Sequence, residues 1–161
     1  MFRSAISAGA DTVRLNARRV LGVLTRASLP ASWPASPTGP TQIQAALEHA
    51  RKEHQAEPIN AIVYIGDMCA EQPQAIYDAV ASLSGVPCFV FQEGDEGVIA
   101  GPIFQEMARL SHGAYSKFSA GSARELAELL RAVAAFAVGG LTALADQRTD
   151  SARKLLGQMK K

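Results

Sequence analysis

The chain has too few cysteines, too little net charge and too short an uninterrupted apolar run for several classes of protein. Only two cysteines occur in 161 residues, Cys69 and Cys88. Two thiols cannot build a disulfide framework or a four-ligand zinc site, and their apolar neighbours imply a reduced interior and a cytoplasmic location. The formal charge of +1 gives no electrostatic footprint for nucleic acid, and Lys160-Lys161 alone are too few to supply one. The longest apolar stretch, Leu126 to Val138, is interrupted by Glu128 and Arg131, so no membrane span is predicted. There is no Gly-x-Gly-x-x-Gly, no P-loop and no Ser/His/Asp or Cys/His signature. His49 and His54 are five residues apart and about 140° apart around a helix, which does not match the His-Glu-x-x-His of a zinc protease. They read as solvent-exposed. What is present is the balance of a globular protein, 48% hydrophobic and 19% charged, at a length suited to one domain.

Composition changes near residue 40. Residues 1–40 hold five arginines, no lysine and the single acid Asp11, a net +4, while the remainder carries −3. An acid-poor, Arg-, Ser- and Ala-rich start fits a mitochondrial transit peptide followed by the linker Pro30 to Pro40, which would place the protein in an organelle. An amphipathic surface helix from Asp11 to Arg26, using Val13, Leu15, Val20 and Leu24, fits equally well. A third reading is that this segment has replaced or lost part of a parent fold. On this division residues 1–37 are an atypical segment, 38–138 an α/β domain and 139–161 a C-terminal helix.

From Thr41 the periodicities alternate. Gln42 to Gln55 repeats apolar residues at helical spacing until Pro58. Asn60 to Gly66 is a short β-branched run, the pattern of a parallel strand buried on both faces. Gln72 to Ser84 reads as a helix, Val86 to Gln92 as a strand, Val98 to His112 as a helix, Ala114 to Phe118 as a strand and Ser122 to Val138 as a helix. Gly139-Gly140 lets the chain turn into a final helix over Leu141 to Met159. The alternation predicts an α/β fold with a mostly parallel sheet sandwiched by helices.

Ligands of open parallel sheets lie at the carboxyl ends of the strands. Asp67 follows a hydrophobic strand directly, where a carboxylate needs a partner or water. The acidic run Glu93-Gly94-Asp95-Glu96 follows the next strand, and Glu93 and Asp95 are the candidate partner-binding residues. The segments Gly39 to Leu47, Ala61 to Asp67 and Gly85 to Phe91, with the helix leading to His112-Gly113-Ala114-Tyr115, resemble the second half of a von Willebrand factor A domain. The resemblance covers about residues 38–138 and implies a Rossmann-like fold. It also implies a metal-ion-dependent adhesion site in which magnesium is completed by a partner's acidic group. Thr41 matches that family's threonine ligand and Asp67 its aspartate. The third contributor, Asp-x-Ser-x-Ser after a first strand, is absent, and Ser4, Ser7 and Asp11 do not replace it.

The expectation is therefore an incomplete fold of this type, with a degenerate magnesium site, acting as a non-enzymatic interaction module of bacterial style. The family implies protein partners that include ATP-driven chaperone-like machines. With no apolar strand visible in residues 1–37, Ala61 to Ile65 is expected to present an open edge, with a homodimer through it, a chaperone-dependent partial domain or poor solubility as the consequence. The competing readings are a small metal-assisted hydrolase using Asp67 and a non-functional truncated fragment. Residue by residue, Thr41 also fits an ordinary helix cap, Asp67 a turn, the acidic loop a solvated surface, and both cysteines inert buried thiols. His112 is expected to meet the C-terminal dipole of its helix.

Overall fold

The computed structural model describes residues 14–15, 20–24, 43–94 and 99–159. In chain order these form β1 (Arg14–Leu15), β2 (Val20–Leu24), α1 (Ile43–Ala56), β3 (Ala61–Gly66) and α2 (Pro73–Ala81). They continue with β4 (Cys88–Glu93), α3 (Ala100–Leu110), β5 (Ala114–Phe118), α4 (Ala123–Asp146) and α5 (Asp150–Met159). One sheet carries the strands in the order β1-β2-β3-β4-β5. β1 is antiparallel to β2, and β2 through β5 are parallel. The fold is mixed α/β, a mostly parallel sheet between two helical layers.

Strand order that follows chain order has a consequence. Crossovers between neighbouring parallel strands are almost always right-handed, so three successive ones place α1, α2 and α3 on the same face. The core follows this placement: Leu47, Ile76, Val80, Phe104 and Met107 pack with Ile62, Tyr64 and Val90. Strand residues of the opposite parity, Val63, Ile65, Phe89 and Phe91, face the other way and are covered by α4 and α5 through Leu129, Val133, Leu144 and Leu155. Alternation along strands buried on both faces thus divides one apolar run into two cores.

Close approach of backbones sets one glycine. A Cβ on Gly113 would lie 1.9 Å from the Cys88 carbonyl oxygen, so only glycine lets β5 begin beside β4. His112, just before it, takes the left-handed conformation at φ 57°, and Gly113 N–H closes α3 on Ala108 O at 2.9 Å. Ser111 joins the same corner, its Oγ accepting from Cys88 N–H at 3.0 Å.

Three expectations change. Val20–Leu24 is a strand in register with Ala61–Ile65, which overturns both the amphipathic helix over Asp11 to Arg26 and the absence of an apolar strand in residues 1–37. The physical reason is the demand of β3 for backbone partners on both sides, which a helix could not meet. The edge expected to be open on β3 is therefore closed, and a homodimer through it loses its basis. Second, the final helix is not continuous. Gly139 and Gly140 have non-helical dihedrals, the helical course resumes from Leu141 to Asp146, and residues 147–149 separate it from α5. Third, His49 and His54 are half-buried rather than solvent-exposed, with His54 Nδ1 accepting from Ile59 N–H at 3.0 Å. The proposed linker Pro30 to Pro40, with Ser4, Ser7 and Asp11, lies outside the described residues.

By length and composition α4 is apolar enough to cross a membrane. Its regular part ends before Gly139, giving residues 123–138 a length of about 24 Å against the ~30 Å of a bilayer core. The carbonyl of Ala137, next to the break, accepts from Asn60 Nδ2 at 2.8 Å.

Candidate functional site at the carboxyl ends of the strands

In a parallel sheet every crossover helix begins at the end where the strands finish, so helix N-termini and strand-end loops share one crest. Free N–H groups and the positive ends of helix dipoles collect there. The crest of this protein is correspondingly acidic, and most of its described carboxylates are spent on backbone donors.

Glu71 is the clearest case. Its Oε1 accepts from Ile43 N–H and its Oε2 from Gln44 N–H at 2.9 Å. The loop after β3 thereby caps α1 from outside. Glu93, at the end of β4, accepts from Gly121 N–H at 2.9 Å, while Gly94 N–H donates to Phe118 O at 2.9 Å. Glu125 accepts from Ser119 N–H at 2.6 Å, and its own N–H donates to Ser122 Oγ at 3.3 Å. The three carboxylates tie the three crest loops to helix starts or to each other.

Asp67 differs from them. It is exposed, as is Met68 at 55%, and no described residue hydrogen-bonds its carboxylate. It stands at the end of β3, with parallel strands on both sides. Thr41 and Asp95 lie outside the described residues, so of the four predicted site residues the structure places Asp67 and Glu93. It brings Glu93 to the loop after β5 and leaves Asp67 facing solvent.

Below Asp67 the environment is apolar. Tyr64 is buried against Phe104, with ring centroids 5.3 Å apart and an interplanar angle of 64°. Burial holds its phenol far above the usual range, and Cys69, Glu71 and Asp67 nearby add to the rise. Cys69 is half-buried, with its thiol directed at Glu71 O at 3.8 Å; burial raises its pKa above the ordinary value. Cys88 is fully buried and its thiol is pushed up to about 12 by desolvation, with the Ser111 hydrogen bond acting the other way. Both sulfurs therefore favour the neutral thiol over the nucleophilic thiolate.

Among the described residues, no second carboxylate stands free beside Asp67. Magnesium requires near-octahedral oxygen coordination, yet both oxygens of Glu71 are engaged by α1, and Glu93 is turned to Gly121. Among the described residues no three His, Cys, Asp or Glu side chains are grouped to hold a metal. A trough of about 460 Å³ between α1 and α2, lined by Gln44, Glu48, Arg51, Asp78 and Ser82 among others, is charged and open, unlike the apolar clefts that bind small molecules.

No family model, curated protein or solved structure matches this chain. The resemblance to the von Willebrand factor A family rests on the sequence motifs alone.

Sequence reasoning missed Glu71, the residue that organises the crest. Its partners are 27 and 28 positions upstream, so no local pattern signals it. Glu125 was missed as well, although Ser122-x-x-Glu125 has the spacing of a capping box; it reaches back to Ser119 instead of Ser122 N–H.

Proposed function

We propose that this chain is a non-enzymatic interaction module of von Willebrand factor A type, with a degenerate metal-ion-dependent adhesion site, that engages a protein partner at the crest of its sheet. The observation that carries the reading is Asp67. It is an exposed carboxylate beside an exposed methionine at the tip of an interior strand, while Glu71, Glu93 and Glu125 hold the surrounding loops through backbone N–H groups. Such a tip is pre-organised, so little ordering entropy is lost when a partner covers it. Met68 supplies apolar area and Asp67 a charge for orientation. Chaperone-like ATP-driven machines are the partner class that the family resemblance suggests.

The test is photo-crosslinking in cells from an unnatural residue at position 68, with exposed Lys52 on α1 as the control position. A discrete protein adduct from position 68, absent from position 52 and lost on Asp67→Ala, is expected. Equal labelling from both positions would remove the crest as a binding surface. Titration calorimetry with magnesium adds the second half: a degenerate site gives no heat that depends on Asp67, and heat abolished by Asp67→Ala would instead establish a working metal site.

A further inference from the structure

The periodicity of Leu141 to Met159 predicts one helix, and the structure breaks it at residues 147–149. Those three residues, Gln147, Arg148 and Thr149, include neither glycine nor proline, so nothing in their covalent chemistry forbids a helix. The break carries two turn bonds, Gln147 N–H to Leu144 O and Arg148 N–H to Ala145 O, both at 3.3 Å, and two further local features of opposite sign. Thr149 Oγ1 accepts from Ala152 N–H at 3.1 Å, capping α5 and favouring the turn. Arg148 sits in the left-handed region at φ 51°, a conformation unfavourable for a residue with a Cβ. All three are exposed, so no packing enforces the turn.

Beyond the turn, α5 covers the outer edge of β5. Ala152 and Leu155 are buried against the sheet. Gln158 acts as a substitute strand: its Oε1 accepts from Tyr115 N–H at 2.9 Å and its Nε2 donates to Tyr115 O at 2.7 Å. A helix running straight from Leu141 to Met159, about 28 Å long, would carry Ala152, Leu155 and Gln158 away from their own β5. It would leave the apolar face of α5 and the uncovered edge of β5 on the same molecule, the face of each copy complementary to the edge of the other.

We infer that α5 is an exchangeable element: with residues 147–149 straightened into helix, the α5 of each of two copies docks on the β5 edge of the other. Every contact of α5 with β5 is kept in the exchanged dimer. What changes is confined to the hinge, which loses the Thr149 cap and gains release of Arg148 from its left-handed conformation. Short hinges under local strain are where such exchange is favoured.

Two hinge substitutions act in opposite directions, and both positions are exposed. Thr149→Ala removes the cap and should tighten dimerisation by roughly tenfold or more, because two hinges change per dimer. Arg148→Gly suits the turn and weakens the straight helix, and should loosen it to a similar degree. Light scattering over a concentration series, after unfolding and refolding to reach equilibrium, reads both. A third variant separates exchange from simple edge-to-edge pairing. Gln158→Leu removes the same two bonds from monomer and exchanged dimer alike and should leave their ratio unchanged, whereas pairing of freed β5 edges would raise the dimer fraction. The inference is overturned if Thr149→Ala and Arg148→Gly give the same oligomer distribution with native circular dichroism, or if Gln158→Leu drives association.

Discussion

The face of the sheet under α1, α2 and α3 is covered by helices that each join two paired strands, whereas the face under α4 and α5 is covered by helices that follow the last described strand. On the first face the chain has no alternative: once β2 to β5 lie side by side in sequence order, handedness places all three crossovers together. On the second face, cover depends on side-chain contacts alone, Leu129, Val133, Leu144 and Leu155 in the core and Gln158 at the edge. The two faces also differ in chemistry. Tyr64 and Cys88 are buried on the crossover face, while the buried cluster under α4 and α5 is made of alanine, valine, isoleucine, leucine and phenylalanine.

The strongest way to probe the contrast is to cut one fully buried phenylalanine in each core. Phe104→Ala on the crossover face and Phe89→Ala on the other, where Phe89 meets Phe136 edge-on at 5.2 Å, should each lose about 3–5 kcal/mol in denaturant unfolding. Native-state hydrogen exchange should then separate them. The Phe89 variant is expected to open α4 and α5 before the rest, because no described strand follows them to tie them down.

Capping from a distance comes next. Glu71→Ala should cost about 1–3 kcal/mol, since two helix-terminal donors lose a charged acceptor; Glu71→Gln, which keeps one oxygen, should recover part of it. If both variants unfold with wild-type midpoints, the loop after β3 is not what anchors α1. Gln158→Leu is expected to cost about 1–2 kcal/mol and to speed exchange of the Tyr115 amide, while amides of α1 to α3 keep their protection.

Alkaline titration also distinguishes the faces. The folded state holds the Cys88 thiol at about 12 against an ordinary 9.0. Its neutral form is thus favoured by folding, and that contribution is complete below pH 9 and lost as pH rises toward 12. Loss of protection in alkali should begin on the crossover face and move to higher pH in Cys88→Ala. In thiol labelling at neutral pH, half-buried Cys69 should react slowly and Cys88 only on unfolding.

The sheet strands from Ala61 onward and helices α1 to α3 were legible because each carries a strong local period bounded by Pro58, Gly66, Gly85 or Gly113. β2 was not, because Val20–Leu24 lies among arginines that suit a helix equally well, and only the need of β3 for a second neighbour selects the strand. At the crest, Asp67 was legible as a carboxylate directly after an apolar run. Glu93 was legible as the acid that follows β4, whereas its bond to Gly121 N–H was not, since it depends on two loops meeting 28 residues apart.

Sequence alone determined which segments are apolar on two sides, where they stop, and that helices and strands alternate, because these follow from side-chain period and from the backbone limits of proline and glycine. Tertiary structure decided which strand sits beside β3, which carboxylates are consumed as caps, and where the last helix bends. Each of those depends on backbone donors and acceptors that meet only after distant segments pack.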